Sequence, residues 1–441
     1  MTTNSYTGTT AAALITAPGS GQGKSMVTAA LARLHRNAGR TVRVFKHGPD
    51  YLDPMVLEVA SGAPVYQLHP WMTGEDECRW RLAQAASEAD LVLVEGSMGL
   101  FDGDPSSADL AVLAGLPAMP VINATGMAQT FGAVVLGLAR YRSDVRIHDV
   151  IANRVGSARH VEMLAASMPA DVRLLGSIPR SEAFSIPDRH LGLVQAAELT
   201  HLDAQLDAAA QVLIDAGLDQ LPASVTLSAP VPAAPPPLLA GVRIGIARDQ
   251  AFAFIYRANI ALLEAMGASL HYFSPLQDAQ LPDVDALWLP GGYPELHAAA
   301  LSQNQPMIRA VRAHHEGGKP ILAECGGLMY CMETLVDKDG LAHTMSGLLP
   351  GESRMVGRLQ GLGLQSMAMT PPGGAEEILR GHTYHHSALT TTLAPACHTR
   401  RLGGTVAEPV YQQGNLVASY FHGYFPSAPA LVARLLGGSA C

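Results

Sequence analysis

Residues 11–28, AAALITAPGSGQGKSMVT, indicate the fold of the first part of this 441-residue chain. This stretch opens as an apolar run, passes through three glycines and continues as a helical pattern from Lys24. An apolar run without polar alternation is typical of a strand that is buried on both faces of a parallel sheet. A glycine-rich turn between such a strand and a helix can direct its backbone N–H groups at an anion. The segment therefore predicts a phosphate-binding loop within an α/β domain.

The residue types in this loop suit the phosphates of a nucleotide. Lys24 can place a point charge between phosphate groups, and Ser25 can ligate Mg²⁺ at the start of the helix. Pro18 occupies the position where the strict GxxxxGK[ST] pattern has glycine, so the loop is a variant of that pattern. A glycine-rich surface turn is the alternative, but strand, glycines, GKS and helix together favour nucleotide binding. The predicted nucleotide-binding residues are Gly19, Gly21, Gln22, Gly23, Lys24 and Ser25.

Short apolar runs alternate with helical patterns along most of the chain. In the N-terminal part they predict a βαβ series with a mainly parallel sheet, whose ligands bind at the carboxyl ends of the strands. The predicted strands of that part are residues 11–17, 42–46, 91–95, 121–124, 150–153 and 174–178. A second α/β series begins near residue 242, after LPASVTLSAPVPAAPPP, whose six prolines predict an extended connector. We therefore predict domains at residues 1–220 and 241–441, joined by a Pro-rich linker at residues 221–240.

Composition and charge exclude several classes of function. Lys and Arg total 29 against 38 Asp and Glu, and the net charge of −9 is scattered, so we expect no nucleic-acid partner. Five cysteines without a CxxC pair predict neither a disulfide framework nor a zinc site, and they fit a reducing cytoplasm. The N-terminus lacks the basic region of a signal peptide. No residue is charged between Asp109 and Arg140, but prolines and polar residues interrupt this stretch, so we expect no membrane span.

Carboxylates follow two of the predicted strands of the N-terminal part. KHGPDYLDP carries Asp50 and Asp53, which alone would suit the capping of a turn beside prolines. VEGSMGLFDG adds Glu95 and Asp102 at the end of another strand. Because the carboxyl ends of parallel strands share one edge of a sheet, we expect these groups to face the same crevice as the glycine-rich loop. Several carboxylates around a nucleotide phosphate imply Mg²⁺ ligation and the positioning of an attacking group.

The C-terminal part carries a cysteine in the setting of a nucleophile. In ILAECGGLMY an apolar strand leads into Cys325, two glycines and a helix, which predicts a sharp turn with an exposed thiol whose pKa the helix N-terminus lowers. A structural cysteine is the alternative. Nearby glycines favour the nucleophile because their backbone can offer N–H donors to an oxyanion; the candidates are Gly291, Gly292 and Gly326. His422 in ASYFHGYF is the best candidate base, and the histidines of RGHTYHHS come next.

Taken in order, the motifs resemble one family closely. GSGQGKS, FKHGPDYLDP, EGSMGLFDG, ANRVGSARH, LPGGYPELHA, AECGGLMY, RGHTYHHS and SYFHGYF follow the pattern of the cobyrinic acid / hydrogenobyrinic acid a,c-diamide synthase family over nearly all of the chain. The resemblance implies a dethiobiotin-synthetase-like, ATP-binding α/β domain with a parallel sheet and a flavodoxin-like glutamine amidotransferase α/β domain. It also implies ATP- and glutamine-dependent amidation of the a and c acetate side chains of a corrin precursor in cobalamin biosynthesis.

The same resemblance assigns roles to single residues. ATP converts a carboxylate to an acyl phosphate. Lys24 stabilises the transferred phosphoryl group, and so does Mg²⁺ bound to Ser25 and Glu95. Cys325 attacks the glutamine amide, His422 moves the proton, and the released ammonia displaces phosphate. The implied catalytic set is completed by Asp50, Asp53 and Asp102, and the implied substrate contacts are Tyr51 and Leu52. The resemblance further implies a cytoplasmic enzyme acting on glutamine and on a corrinoid or hydrogenobyrinic acid, and it allows a homodimer.

Three positions depart from the family pattern. The residue two beyond His422 is Tyr424, where many amidotransferases of this type carry a glutamate that orients the base, so we expect a slower, substrate-gated glutaminase. His47 stands where relatives tend to have a small residue, and His69 stands where aspartate is usual. Both histidines lie toward the predicted substrate side.

Other enzymes of the same build are the alternatives. One is an a,c-diamide synthase for nickel-sirohydrochlorin, and another is a cobyric acid synthase, which amidates other side chains; GPDYLDP favours a,c amidation. An alternative from a different class is a P-loop ATPase switch with a degenerate amidotransferase module. The intact AECGG segment and His422 argue against that last hypothesis.

Overall fold

The computed structural model describes residues 4–184, 188–189, 192–193, 195–370 and 375–438. Its Cα atoms group into two units, residues 1–232 and residues 233–441, and the boundary between them falls within the predicted Pro-rich linker.

The N-terminal unit alternates strands with helices. Its described strands are β1 (Ser5–Thr16), β2 (Val42–His47), β3 (Tyr66–Leu68), β4 (Leu91–Glu95), β5 (Ala118–Asn123), β6 (Asp149–Val155), β7 (Arg173–Pro179), β8 (Asp188–Arg189), β9 (Gly192–Leu193) and β10 (Ser224–Pro230). Its described α-helices are α1 (Lys24–Asn37), α2 (Leu52–Ser61), α3 (Glu75–Glu88), α4 (Ser107–Ala114), α5 (Thr130–Tyr141), α6 (Ala158–Ala165) and α7 (Leu202–Asp215).

The sheet of this unit runs parallel in the order β3-β2-β4-β1-β5-β6-β7, which confirms the predicted parallel α/β fold. β1 shows why its sequence lacks polar alternation: Ala12 and Leu14 belong to the core on one face, and Ala13 and Ile15 to the core on the other. The glycine-rich loop, GPDYLDP and GSMGLFDG follow β1, β2 and β4, which are neighbours. Parallel direction therefore brings the three motifs to one edge of the sheet.

Part of the predicted linker is a strand of this sheet. β10 pairs antiparallel with residues 5–11 of β1. Its apolar residues alternate with hydroxyl residues, so that Leu227 and Ala229 are buried while their neighbours face outward. The prolines lie at its end and outside it, where they interrupt no ladder. The prediction of an extended connector was therefore incomplete. It rested on the proline content and did not consider that apolar and polar residues alternate along residues 224–230.

The uncharged stretch between Asp109 and Arg140 divides among α4, β5 and α5. Its apolar side chains, such as Val121, Ile122 and Phe131, are buried in the core of the sheet. Within the described ranges, the search for a helix both long and apolar enough to cross a membrane finds none.

The C-terminal unit contains more strands than helices. Its described strands are β11 (Arg243–Ala247), β12 (Ser269–Phe273), β13 (Ala286–Leu289), β14 (Ile321–Glu324), β15 (Met332–Val336), β16 (Ala342–Thr344), β17 (Leu349–Met355), β18 (Gly361–Met369), β19 (Glu377–His385), β20 (Ser387–Thr390), β21 (Cys397–Arg401), β22 (Val406–Gln413), β23 (Leu416–Ser419) and β24 (His422–Gly423). Its described α-helices are α8 (Arg257–Ala265), α9 (Ala298–Gln303), α10 (Gln305–Glu316), α11 (Gly326–Cys331) and α12 (Pro429–Leu435).

The main sheet of this unit is half parallel and half antiparallel. Its order is β12-β11-β13-β14-β23-β22-β21-β18-β19-β24, and the first five strands are parallel, as the flavodoxin-like prediction requires. From β23 onward each neighbour is antiparallel, an extension that the sequence interpretation did not include. A smaller sheet has the order β16-β15-β17-β20. LPGG, AECGG and SYFHGYF follow β13, β14 and β23, three neighbouring parallel strands, so they meet at one edge.

Candidate functional site

The glycine-rich loop after β1 is fixed by its neighbours at the carboxyl edge of the sheet. Gly21 and Gly23 have φ angles of 75° and 97°, in the left-handed region. Gln22 joins the loop to β5 and β6, because its Oε1 accepts a hydrogen bond from the Asn123 N–H and its carbonyl accepts one from Asn153 Nδ2, each at 2.8 Å. A Cβ atom on Gly23 would lie 2.4 Å from Asn153 Nδ2. These contacts preorganise a loop whose remaining N–H groups can receive phosphate oxygens.

Lys24 begins α1 and closes the loop on itself. Its ammonium donates hydrogen bonds to the carbonyl oxygens of Met98 at 2.6 Å and of Gly19 at 3.3 Å. Burial lowers the pKa of Lys24, while the Glu95 carboxylate acts in the opposite direction. Met98 has a φ of 50°, which residues with a side chain rarely adopt, so the carbonyl that holds Lys24 belongs to a strained turn. The protein itself therefore holds the lysine at the loop.

Beside the loop lies a buried ion-pair network that the sequence interpretation missed. Lys46 Nζ, on β2, lies 2.5 Å from Asp53 Oδ2 and 3.0 Å from Glu95 Oε1. The Ser25 hydroxyl donates to Glu95 Oε1 at 2.6 Å. Burial alone would lower the pKa of Lys46, but Asp53 and Glu95 raise it above its ordinary value, so the ammonium stays charged. We call Ser25, Lys46, Asp53 and Glu95 the lysine cluster.

The two carboxylates of the lysine cluster differ in charge. Burial raises the pKa of Glu95 to about 7, with repulsion from Asp53 adding to the shift and Lys46 opposing it. Burial also acts to raise the pKa of Asp53, but the Lys46 ammonium outweighs burial and the pKa is lowered. Asp53 thus stays ionised beside Lys46, whereas Glu95 can take up a proton near neutral pH.

Asp50 and Asp102 hold the turns that flank this cluster. Asp50 Oδ1 accepts hydrogen bonds from the backbone N–H groups two and three residues along the chain, at 2.7 and 3.1 Å. Asp102 Oδ2 accepts one from the Gly99 N–H at 2.9 Å. Both aspartates therefore cap turns through these contacts. Burial, together with repulsion from Asp53, raises the pKa of Asp50 to about 6. The charges of Asp53 and Asp102 both act on Lys24, so the structure brings these predicted residues into one electrostatic neighbourhood.

Two stacked histidines lie next to the predicted substrate loop. The rings of His47 and His69 lie 5.2 Å apart with planes 3° from parallel, and His47 Nδ1 is 3.0 Å from Ser107 Oγ. Burial lowers the pKa of His69 to about 4 and that of His47 well below its ordinary value, so both rings are neutral. The two departures from the family pattern are thus a buried, neutral pair. At the start of α2, Tyr51 is buried and Leu52 is half-buried.

The C-terminal unit places Cys325 on a sharp turn between β14 and α11. Its φ of 46° and ψ of −101° are strained for a residue with a side chain, which is the geometry of a nucleophile elbow. The Cys325 N–H donates to the Ser419 carbonyl at 2.7 Å, which ties the turn to β23. A Cβ atom on Gly327 would lie 2.0 Å from the Leu289 carbonyl oxygen, so glycine is required where the turn approaches β13.

The environment of the thiol corrects the prediction of an exposed group with a lowered pKa. Cys325 is only 5% exposed, and burial, followed by the negative charge of Glu295, raises the pKa of its thiol. The N–H of Gly326 opposes this shift. α11 has only six residues, so its dipole is too small to offset burial. The thiol is therefore protonated in this state of the protein.

His422, in β24, is a buried and neutral imidazole. Its ring stacks on His382, with 5.0 Å between centroids and 17° between planes. Burial, with the charges of His382 and His385, lowers the pKa of His422 well below its ordinary value, so the ring is in the proton-accepting form. The Tyr256 hydroxyl lies 2.9 Å from His382 Nδ1 and holds that ring in turn. The motif RGHTYHHS, which was the second candidate for the base, thus contributes His382, whose ring packs against that of His422.

Glycines shape the space between the Cys325 turn and His422. A Cβ atom on Gly291 would lie 2.2 Å from His422 Cε1, so Gly291 makes room for the imidazole. A Cβ atom on Gly326 would lie 3.0 Å from the Gly292 nitrogen, so the segment after β13 reaches the turn that carries Cys325. The structure thereby brings together all three glycines that the sequence proposed as donors.

Glu324 ties the nucleophile turn to the strand of His422, and sequence reasoning missed it. Its Oε1 accepts a hydrogen bond from the Gly423 N–H at 2.7 Å, and its Oε2 accepts one from Trp288 Nε1 at 2.9 Å. The first contact joins the residue before Cys325 to the residue after His422. The available signal was a carboxylate at the end of an otherwise apolar strand, a residue that is almost never buried without partners.

Comparisons with known proteins agree with this division. Residues 13–194 match the family model of the CobQ/CobB/MinD/ParA nucleotide binding domain, and residues 243–430 match that of the CobB/CobQ-like glutamine amidotransferase domain. The hydrogenobyrinate a,c-diamide synthase of Stutzerimonas stutzeri (strain A1501) is 56% identical, over 96% of this chain and 98% of its own length. The protein of the same name from Pseudomonas aeruginosa is 55% identical, over 96% and 97% of the two chains. The cobyrinate a,c-diamide synthase of Herminiimonas arsenicoxydans is 50% identical, over 99% and 98%.

Proposed function

Because this chain belongs to the family of hydrogenobyrinate and cobyrinate a,c-diamide synthases, we propose that it amidates the a and c acetate carboxylates of hydrogenobyrinic or cobyrinic acid. It is a glutamine-dependent, amide-forming ligase of cobalamin biosynthesis with a nucleotide-binding domain. One observation carries the choice of substrate: relatives with these names align along almost the whole chain at 50% to 56% identity. In addition, the Cys325 turn and the imidazole of His422 are both formed, which speaks against a degenerate amidotransferase module.

In this proposal the N-terminal unit activates the ring carboxylate. A carboxylate carbon is a poor electrophile, so ATP first converts it to an acyl phosphate, which ammonia then attacks. Lys24 neutralises charge on the transferred phosphoryl group, and the lysine cluster keeps a preformed field beside it. Asp50, Asp53 and Asp102 position the substrate side of the site. The proposed ring contacts are Tyr51 and Leu52.

Mg²⁺ fits the oxygens of Ser25 and Glu95. Glu95 Oε2 is buried and has no hydrogen-bond partner among the residues that the structure describes, and the Ser25 hydroxyl contacts the other oxygen of the same carboxylate. The described ranges contain no group of three or more His, Cys, Asp or Glu side chains that could hold a metal by themselves. This agrees with an ion that takes most of its ligands from phosphate and water. When bound there, Mg²⁺ would supply positive charge to the phosphate oxygens.

The C-terminal unit supplies the nitrogen. Cys325 attacks the glutamine amide to give a thioester, and His422 carries the thiol proton to the leaving ammonia. The N–H groups of Gly292 and Gly326 stabilise the oxyanion that forms on the amide oxygen. Water then hydrolyses the thioester to glutamate, and the released ammonia is the nucleophile for the acyl phosphate.

Product mass tests this function. With ATP, Mg²⁺ and glutamine, hydrogenobyrinic or cobyrinic acid should gain two primary amides, and parallel reactions show which ring is preferred. Nickel-sirohydrochlorin and the a,c-diamide itself are the comparison substrates for the two rival synthases. Amidation of only one of those comparison substrates would reassign the substrate, and ATP turnover without amidation of any ring would overturn the synthase. The family resemblance allows a homodimer, and light scattering tests whether one forms.

A further inference from the structure

The thiol of Cys325 lies under the influence of three carboxylates that differ in their bonding. Beyond burial, the charges of Glu295, Glu408 and Glu324 all raise its pKa. Glu324 accepts hydrogen bonds from an indole N–H and a backbone N–H, as described above. Glu408 Oε1 accepts a hydrogen bond from the Thr383 hydroxyl at 3.5 Å and lies 3.3 Å from Nε2 of His385. Two of the three carboxylates are therefore engaged with donors on the protein.

Glu295 is bonded differently. It lies in the 3₁₀ turn Pro294–His297 and is only 9% exposed. Across the described ranges no lysine, arginine or histidine forms an ion pair with it, and the one group that acts to lower the pKa of its carboxylate is its own backbone N–H. Burial accordingly raises the pKa of Glu295 to about 7. A buried acceptor with so little donation on the protein is suited to a donor that arrives with a ligand.

The turn that carries Glu295 packs against the nucleophile. Pro294 Cδ lies 2.9 Å from the Cβ position of Gly326, the residue that follows Cys325. The nitrogen of Gly292, on the same segment, lies 3.0 Å from that position. Glu295 is thus on the segment that forms one side of the site where the amide must bind.

We propose that Glu295 binds the α-ammonium group of glutamine and so selects an α-amino acid amide as the nitrogen donor. This inference rests on the proposed glutaminase activity of Cys325. Glutamine carries its ammonium four bonds from the amide carbon, a span of about 5 Å by standard bond lengths. One molecule can therefore present its amide to the thiol and its cation to a carboxylate on the adjacent segment.

The same contact couples glutamine binding to activation of the thiol. In the free protein the negative charge of Glu295 opposes ionisation of Cys325. An ammonium group bound to that carboxylate compensates its charge, so the thiolate becomes easier to form only when the donor is in place. This accounts physically for the substrate-gated glutaminase that Tyr424 suggested in the sequence.

The test compares two nitrogen donors in wild type and in Glu295→Gln. Glutaramate has the amide and the carboxylate of glutamine but lacks its α-amino group. Ammonia release by the wild type should favour glutamine over glutaramate by on the order of 100-fold in kcat/KM. Glu295→Gln should lose at least about tenfold of that preference, chiefly through a higher KM for glutamine, while glutaramate hydrolysis should not fall, because the charge that opposes ionisation of Cys325 is removed. Glu295→Asp, which keeps the charge, should fall between the two.

Matched controls separate recognition from folding. Glu408→Gln removes a carboxylate that already contacts His385, so both donors should change by one factor. Glu316→Gln, exposed on α10, should change neither. Glu295→Gln should also retain wild-type synthesis from ammonium. Equal losses with glutamine and glutaramate would overturn the proposal, and so would an unchanged preference. A wild-type protein that makes amide from ammonium but never hydrolyses glutamine would overturn the proposed glutaminase itself, and the Glu295 contact with it.

Discussion

The two sites treat buried titratable groups in opposite ways. In the N-terminal unit, Lys46 lies between Asp53 and Glu95, and the Lys46 ammonium and the Asp53 carboxylate stay charged in the interior because they are paired. In the C-terminal unit, burial raises the pKa of the Cys325 thiol and lowers that of the His422 imidazole, so both reacting groups are neutral. The N-terminal site therefore holds paired charges before any substrate binds, whereas the two reacting groups of the C-terminal site are uncharged.

This difference follows from the reactants. ATP brings several negative charges, so a site for phosphoryl transfer gains from a field that exists before the nucleotide binds. Glutamine brings a neutral amide, so a thiolate formed in advance would only expose the thiol to oxidation and other reagents. The first site is therefore preorganised for charge, whereas the reacting groups of the second become charged only after the substrate binds.

The largest loss of activity is expected when the lysine of the phosphate-binding loop is removed. Lys24→Ala should lower amidation by about 1000-fold with glutamine and with ammonium alike, because phosphoryl activation precedes attack by ammonia. Product mass with each nitrogen source measures this, and Lys338→Ala, on an exposed turn, is the control. Normal product formation by Lys24→Ala would remove the assignment of this loop to ATP.

Removal of the nucleophile should affect one nitrogen source only. Cys325→Ala should lose glutamine-dependent synthesis and keep synthesis from ammonium at alkaline pH, where NH₃ is abundant. His422→Ala should change in the same direction with some residual glutamine activity. Cys397→Ala is the control for cysteine loss. If Cys325→Ala failed equally with ammonium while it remained folded and bound ATP, the division of labour between the units would be wrong.

Lys46→Met should lower the stability of the N-terminal unit. It leaves Asp53 and Glu95 buried without their cation, which should reduce the free energy of unfolding by about 3–5 kcal/mol. Urea unfolding followed by circular dichroism measures the change, and Lys338→Met, at an exposed ion pair, should show none. A loss below about 1 kcal/mol would mean that the carboxylates simply take up protons when the lysine is absent.

The smallest effect concerns the pH dependence of the suppressed thiol. An ordinary thiol has a pKa of about 8.5, so its alkylation rate levels off above that pH. Because burial raises the pKa of Cys325, its thiolate fraction should still rise about tenfold per pH unit between pH 7 and pH 9. Iodoacetamide labelling of the peptide that contains Cys325, followed by mass spectrometry, measures this rate. A plateau near pH 8.5 would show that the thiol is not suppressed.

Features that depend on the order of elements could be predicted from the sequence. The parallel sheet of the N-terminal unit follows from apolar runs that alternate with helical patterns. Ser25 and Glu95 lie 70 positions apart, yet their 2.6 Å contact was expected in outline, because both follow strands that end at one edge. The Cys325 turn was likewise visible, since strand, cysteine and two glycines form a local pattern.

Features that depend on tertiary packing could not be predicted. Lys46 gives no signal inside an apolar strand until the positions of Asp53 and Glu95 are known. The raised pKa of the Cys325 thiol comes from burial and from Glu295, neither of which a local motif contains. The antiparallel half of the C-terminal sheet was missed because its strands are mixed in polarity, and RGHTYHHS, most of which lies in β19, was interpreted only through its histidines.

During synthesis, the first half of β1 leaves the ribosome long before the strand that completes it. The hydroxyls of Thr7 and Ser228 meet at 2.8 Å, although these residues are 221 positions apart. At a translation rate of about 5–20 residues per second, residues 5–11 wait roughly 10–45 s for β10. For that time they are an open edge to which another nascent chain can add a strand. β10 is therefore the last strand to join the sheet of the nucleotide-binding unit. It covers the open edge of β1 at about the time when the segment that leads to the amidotransferase unit leaves the ribosome.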